Sequence, residues 1–395
     1  MMRTVGTTVR GIRAPIVKEG DNIINIVVDS VINASKYENF ELRDKDIIGI
    51  TESLIARAQG NYANQEDIAK DVNDKFHKDI GIVFPILSRN RFSIILKGIA
   101  MTGKKIHLVL NYPTDEVGNQ LMDIDKMYQL KINPYTDVLT EKEYRKLFGE
   151  NVYHPFTGID YVKMYKDLAI DGNIEIYLSN NPETVLQYTE DVLVANVHDR
   201  ERTKEILKKS GAKTVLGLDD LLTKPINNSG YNPEYGLLGS NLATESQVKL
   251  FPRDSKYYVY EIQKILKEKT GKTIEVMVYG DGAFKDPVGK IWELADPIVS
   301  PAYTSGLEGT PNEVKLKYLA DNELKNLEGE EAAKAIKEKI NKKDKDLIAH
   351  KESLGTTPRR ITDLLGSLCD LTSGSGDKGT PIVLIQGYFD NYATE

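Results

Sequence analysis

The chain has 395 residues, a net charge of -7 and a pI near 5.5, which argues against the basic face that a nucleic-acid partner requires. Hydrophobic residues make up 40% and charged residues 28%, the mix of a soluble globular protein of two or three domains, or of one domain with an insertion. No window approaches the ~18 consecutive apolar residues of a membrane span, and the opening segment has neither the apolar core nor the cleavage site of a signal peptide. The single cysteine, Cys369, rules out an intrachain disulfide and fits a reducing, cytoplasmic setting. Its surroundings, LLGSLCDL, favour a buried inert thiol over a reactive one.

In chain order, the apolar run from Asp46 to Thr51 predicts a buried strand that passes directly into a helix from Glu52 to Gln59, closed by Gly60. A second strand is expected from Ile106 to Leu110, running into the polar turn Asn111 to Asp115. Residues 124–235 are rich in tyrosine and read as a separate layer. Within it, Val192 to Val197, a helical stretch and Thr214 to Gly217 form a strand–helix–strand crossover unit. Further on, Val259, Ile262, Ile265 and Leu266 share one helix face that Gly271 ends, and Ile274 to Tyr279 follows as a strand. Glu330 to Lys345 predicts a charged, exposed helix with no assigned function. A glycine-rich loop then precedes the strand Pro381 to Gln386. The fold class expected is α/β (α+β), mixed sheets with helices, divided as residues 1–123, an inserted α/β region 124–235, and residues 236–395.

The loop Ser373, Gly374, Ser375, Gly376, Asp377, Lys378, Gly379, Thr380 is the strongest local signal. Its glycines allow close backbone approach, successive amides suit an anion nest, and Lys378 adds a full charge. The order is Lys-Gly-Thr and a strand follows, so it is no Walker A motif; a plain surface hairpin is the competing reading. Glu52, Ser53 and Arg57 lie where a strand enters a helix, where amides favour an anion and Ser53 suits a cap; an ordinary capped helix is the blander reading. Asp281, between two glycines at a strand end, suits a divalent cation held with nucleotide phosphates, although Asp-Gly is also a common turn pair. Asp115 with Asn119 makes a second oxygen-rich turn with the same two readings. Arg359 and Arg360 offer paired guanidinium forks for a carboxylate, or simply a charged surface. The five histidines show no zinc spacing, and there is no Gly-x-Ser-x-Gly elbow or Cys-x-x-Cys pair, so hydrolases and zinc enzymes fall behind.

These pieces together resemble the F420-0:gamma-glutamyl ligase family. Gly11 to Asp21 is similar to the family's Gly-Leu-Pro segment and Lys-x-Gly-Asp turn. Asp46 to Gly60 resembles its signature strand and helix, with Arg57 where the family has a nucleotide-contacting lysine. Thr270 to Asp281 is similar to its helix, strand and metal-binding aspartate, and Gly374 to Pro381 to its C-terminal nucleotide loop. The resemblance implies a ligase-like core at residues 1–123 and 236–395. It implies GTP-dependent ligation of L-glutamate to an acidic small-molecule acceptor through an acyl phosphate, with Mg2+ or Mn2+ as cofactor and a homodimer as the working unit. It also implies nucleotide contacts from Gly11, Pro15, Glu52, Ser53, Arg57, Asn241 and the 373–380 loop, and metal contacts from Asp115 and Asp281. The family's Gly-x-Asp-x-Ser-Asn motif has two partial counterparts. Gly236 to Asn241 keeps the spacing but carries Leu238 in the acidic place, while Asp115 supplies an aspartate elsewhere. Two other functions stay open: a different acceptor, folate-like or peptide, and a nucleotide-binding protein that acts by interaction without catalysis.

Overall fold

The computed structural model describes residues 4–280, 299–344, 347, 350–353, 360–373 and 377–394. Asp281, Arg359 and the loop residues Gly374, Ser375 and Gly376 lie outside the described residues. The architecture is mixed α/β, built around two large sheets and a small one.

The first sheet runs in the order β1 (Thr8–Ile12), β14 (Ile382–Gln386), β2 (Ile47–Thr51), β12 (Glu275–Gly280), β13 (Val299–Tyr303). Its centre is the parallel pair β2–β12, and β14 is antiparallel to β2 and to β1. Because helices cover both faces, the central strands are apolar on both sides. One face sends Ile48, Ile50, Val276, Val278, Ile382 and Leu384 into a core shared with α1 (Ile23–Tyr37), α2 (Glu52–Ala58) and α9 (Ser255–Thr270). The opposite face buries Ile47, Met277, Tyr279, Val383 and Ile385 under α12 (Ile361–Thr372). The helix of Val259, Ile262 and Leu266 ends at Gly271, in the left-handed region as expected. Burial pushes the Cys369 thiol far above its ordinary value, in keeping with an inert buried cysteine.

Gly49 shows how tightly α12 lies on the sheet: a Cβ added there would overlap Cys369 Sγ. Gly49→Ala is expected to cost about 1–3 kcal/mol through overpacking. The loss should shrink in a Cys369→Ala background, where the obstructing sulfur is gone, and a urea-unfolding double-mutant cycle reads that coupling.

The second sheet runs β6 (Leu139–Thr140), β7 (Ile174–Leu178), β5 (Ile106–Leu110), β4 (Ile80–Val83), β8 (Asp191–Val194), β9 (Thr214–Gly217). All neighbours are parallel except β6 with β7. Setting β6 aside, the strands lie in the spatial order third, second, first, fourth, fifth, the doubly wound arrangement with a reversal between β4 and β8. On one face α3 (Gln65–Lys75), α4 (Phe92–Ala100), α5 (Ile124–Gln129), α6 (Glu141–Phe148) and α7 (Tyr161–Lys166) enclose the largest core. On the other, α8 (Arg200–Lys209) and a 3-10 turn at Pro182–Gln187 cover Val83, Val109, Val192 and Val194. The strand–helix–strand unit expected around Val192 to Gly217 is therefore present, with β8 and β9 parallel. The division expected at 123/124 falls inside this sheet, because β4 and β5 precede that boundary and form its centre.

A small antiparallel sheet, β10 (Asn241–Thr244), β11 (Gln247–Lys249) and β3 (Tyr62–Asn64), links the two units. Short α10 (Leu316–Tyr318) and the largely solvent-facing α11 (Gly329–Asn341), the charged helix expected from the sequence, complete the chain. Among the described residues no helix is long and apolar enough to cross a membrane.

Candidate functional site

Register decides what meets at the open edge of the first sheet. Ile12 lies opposite Ile382, Ile382 opposite Ile50, and Ile50 opposite Val278. The C-terminal ends of β1, β2 and β12 and the start of β14 are therefore level. At the usual strand spacing they span roughly 14 Å. The segment after β1, residues Thr380 and Pro381, the β2–α2 junction and Gly280 all emerge along this edge.

Glu52 is the first residue of α2 and is only 4% exposed. Its Oε1 receives Lys249 Nζ at 2.5 Å, and Lys249 is itself buried. Its Oε2 is buried and has no hydrogen-bond partner among the described residues. A buried carboxylate oxygen left unmatched calls for a further partner such as a cation or a ligand donor. Gly280, the last described residue of β12, packs on this group: a Cβ there would sit 3.1 Å from Glu52 Cγ. Lys249 is held in register between Tyr62 of β3 and Asn241 of β10. Asn241 thus stands across the strand from the lysine that neutralises Glu52. The helix cap differs from expectation. The chain turns straight from strand to helix, so Thr51 takes the cap position without a side-chain bond and Ser53 falls inside the first turn.

Along the same edge, beside α1, a groove of about 1100 Å³ collects Arg10, Gly11, Arg13, Pro15, Lys378 and Thr380. The backbone of Ala14 donates to Gly379 O at 3.3 Å, tying the segment after β1 to the glycine loop. A Cβ on Gly11 would stand 3.1 Å from Thr380 Cβ, so glycine is what lets the loop approach. Thr380 Oγ1 is buried and has no partner among the described residues. Arg13 and Lys378 are exposed, whereas Arg10 donates to Gln386 Oε1 at 2.6 Å and covers the Phe40 ring. Ser373 ends α12, its amide donating to Cys369 O at 2.7 Å, and Asp377 lies in the exposed turn before Lys378. Arg57 does not line the groove; its Nε donates to Val17 O at 3.4 Å.

Asp115 belongs to the other sheet. Its carboxylate accepts four N–H bonds, from Leu87 N at 2.9 Å, Val117 N at 3.1 Å, Asn119 N at 2.8 Å and Asn119 Nδ2 at 2.7 Å. Those donors use the oxygens to anchor the turn after β5. Burial pushes the Asp115 carboxyl above its ordinary value, with the N–H bonds opposing that shift. Among the described residues no three His, Cys, Asp or Glu side chains gather as a metal cluster. The described donor that fits a hard divalent cation is Glu52 Oε2, through its chemistry and its unmet valence.

Of the expected site residues, Gly11, Pro15, Lys378 and Thr380 line one groove, while Glu52 and Asn241 lie on either side of Lys249. Lys249 is the site residue the sequence pattern does not mark. Its partner lies 197 positions away, and a lone lysine in a short polar strand carries no local signal of pairing.

No curated protein sequence matches the chain. A family model described as F420-0:Gamma-glutamyl ligase matches residues 11–387, from the groove strand β1 through β14, and so takes in both sheets. The match covers nearly the whole length, and with it the chain belongs to the F420-0:gamma-glutamyl ligase family, ligases that form gamma-glutamyl bonds.

Proposed function

We propose that the protein joins L-glutamate to an acidic small-molecule acceptor at the expense of GTP, through an acyl phosphate formed at the open edge of the first sheet. The observation that carries this reading is the buried Glu52–Lys249 pair with its unmatched Glu52 Oε2, level with a groove bearing Arg13, Lys378 and Thr380. In this reading Lys378, Arg13 and the Thr380 hydroxyl bind the nucleotide phosphates, and Asn241 contacts the nucleotide from β10. Glu52, joined by Asp281 as the next residue after Gly280, holds a divalent cation, Mg2+ or Mn2+. That cation supplies positive charge to the transferring phosphoryl oxygens when bound.

The chemistry needs no enzyme nucleophile. An acceptor carboxylate oxygen attacks the γ-phosphorus, the bond to the β–γ bridging oxygen breaks, and GDP leaves. The free amine of glutamate then attacks the acyl carbon. Phosphate departs with one former carboxylate oxygen, and the nitrogen releases a proton to water. Lys249 holds the Glu52 carboxylate in place through their ion pair, and the cations of the groove counter the charge of the phosphates, which is electrostatic rather than covalent catalysis. The working unit in this reading is a cytoplasmic homodimer, as the family resemblance implies.

Lys378→Ala is expected to raise KM for GTP about tenfold with a smaller effect on kcat, since a phosphate contact made before and during transfer is mostly uniform binding. Steady-state kinetics at varied GTP checks it; an unchanged KM would remove Lys378 from the nucleotide site.

A further inference from the structure

A second cavity lies at the reversal point of the doubly wound sheet. Open α/β sheets bind ligands outside the carboxyl ends of their strands, where the strand order turns back. Here that point lies between β4 and β8, and the C-terminal ends of β4, β5 and β8 open onto a cavity of about 560 Å³. Small-molecule sites occupy roughly 300–1,000 Å³. Asn196, just beyond β8, lines the cavity and is only 4% exposed. Its Nδ2 donates to Thr203 Oγ1 at 3.2 Å, and its Oδ1 is buried with no partner. Buried amide oxygens are nearly always bonded. Exchanging the amide's N and O would leave a buried unpartnered donor instead. In either orientation the Asn196 amide keeps one unmet hydrogen-bonding group, an acceptor as described or a donor if exchanged, in a residue of the cavity wall.

The rest of the lining narrows the ligand. Tyr128 and Tyr135, from α5 and the turn after it, line the cavity yet are 66% and 88% exposed. They are aromatic surface available to a planar ring. Arg202, in the first turn of α8, reaches the same cavity, is exposed, and forms no ion pair among the described residues. Phe84, the first residue after β4, has φ of 59°, a strained backbone of the kind that clusters at ligand sites. The loop that follows β4, residues 84–91, contains no glycine, so it lacks the phosphate-cradling turn of a di- or triphosphate site.

We propose that this cavity binds a nucleoside monophosphate, with its ring against Tyr128 and Tyr135, its polar edge bonded to Asn196 and its single phosphate on Arg202. This site is separate from the sheet edge that carries the ligase reading and does not depend on that reading. The test is equilibrium binding of AMP and of adenosine to the full chain by calorimetry. The wild type should bind both saturably, AMP more tightly. Arg202→Ala, a surface change, should weaken AMP about tenfold and leave adenosine unchanged, while Asn196→Ala should weaken both. Lys378→Ala should leave AMP binding intact, which separates this site from the nucleotide groove. No saturable binding of AMP or adenosine at millimolar concentration would overturn the proposal. So would AMP binding that Arg202→Ala leaves unaltered, whether or not the Asn196 variant folds.

Discussion

Replacing Glu52 with glutamine is expected to lower kcat for ligation by about 10²–10³-fold, the loss typical when one preorganised electrostatic group is removed from a transition state. The glutamine would keep the shape of the side chain but would present a neutral amide where Oε2 now lies buried and unpartnered. The single substitution also strands Lys249, which is buried beside it. An uncompensated buried charge costs about 3–5 kcal/mol, so a loss of activity alone would be ambiguous. The double variant Glu52→Met with Lys249→Met resolves this. Exchanging a buried ion pair for hydrophobic groups of similar volume is often neutral or stabilising. That variant should unfold near the wild-type denaturant midpoint yet remain inactive. A well-folded double variant with wild-type turnover would remove the pair from the catalytic site.

A second large effect is expected far from that edge. Asp160 caps α7 by accepting from Lys163 N at 2.9 Å, accepts from Val152 N at 3.0 Å and receives Arg145 through two bonds of 2.6 and 3.0 Å. Both side chains are largely buried. Asp160→Asn should destabilise the fold by about 3–5 kcal/mol at neutral pH, since Arg145 would be left without its counter-charge. Burial alone would raise the Asp160 carboxyl, but the Arg145 bonds and the two backbone N–H donors together hold it below its ordinary value of 3.8. The folded state therefore binds this proton less readily than the unfolded chain does. The stabilisation is complete above the unfolded value near pH 4 and is lost as pH falls through the lower folded value. Denaturant melts between pH 6 and pH 3 should show a stability gap between wild type and Asp160→Asn that closes at the acid end. A gap that widens instead would contradict the assignment.

The parts of the fold that are legible in sequence share one property: their identity is set locally. β2, β12 and β14 are buried on both faces and so read as short apolar runs, and α9 carries its core face and its terminating Gly271 within one segment. The unit β8–α8–β9 is legible because strand, helix and strand follow at crossover spacing. β4 is different. Four residues, Ile80–Val83, sit between a helix and a Phe-Pro turn, too short for any period to show, yet they form the centre of the second sheet. Without β4, residues 124–235 look self-contained, and the sheet's true extent back to residue 80 is hidden.

The site divides in the same way. Gly11, Pro15, Lys378 and Thr380 meet because the end of β1 and the start of β14 are level; the glycine loop stands out by composition, whereas Gly11 and Pro15 enter only through the family resemblance. Glu52 is visible as a residue, but its burial against Lys249 is a tertiary fact fixed by the small linking sheet. The acidic turn at Asp115 is equally visible, yet whether its oxygens face a metal or four backbone and side-chain amides depends on the loop after β4. Arg57, where the resemblance implies a nucleotide-contacting lysine, is bonded to Val17 O and does not line the groove.

In the proposed route a carboxylate of the acceptor is activated as an acyl phosphate before glutamate is joined to it. Turnover of F420-0 carrying 18O at both oxygens of its carboxylate, with GTP, L-glutamate and Mg2+, tests it directly by mass analysis of the phosphate released. Transfer of one 18O atom into each phosphate formed is the predicted result; glutamylated product accompanied by phosphate free of 18O would contradict it.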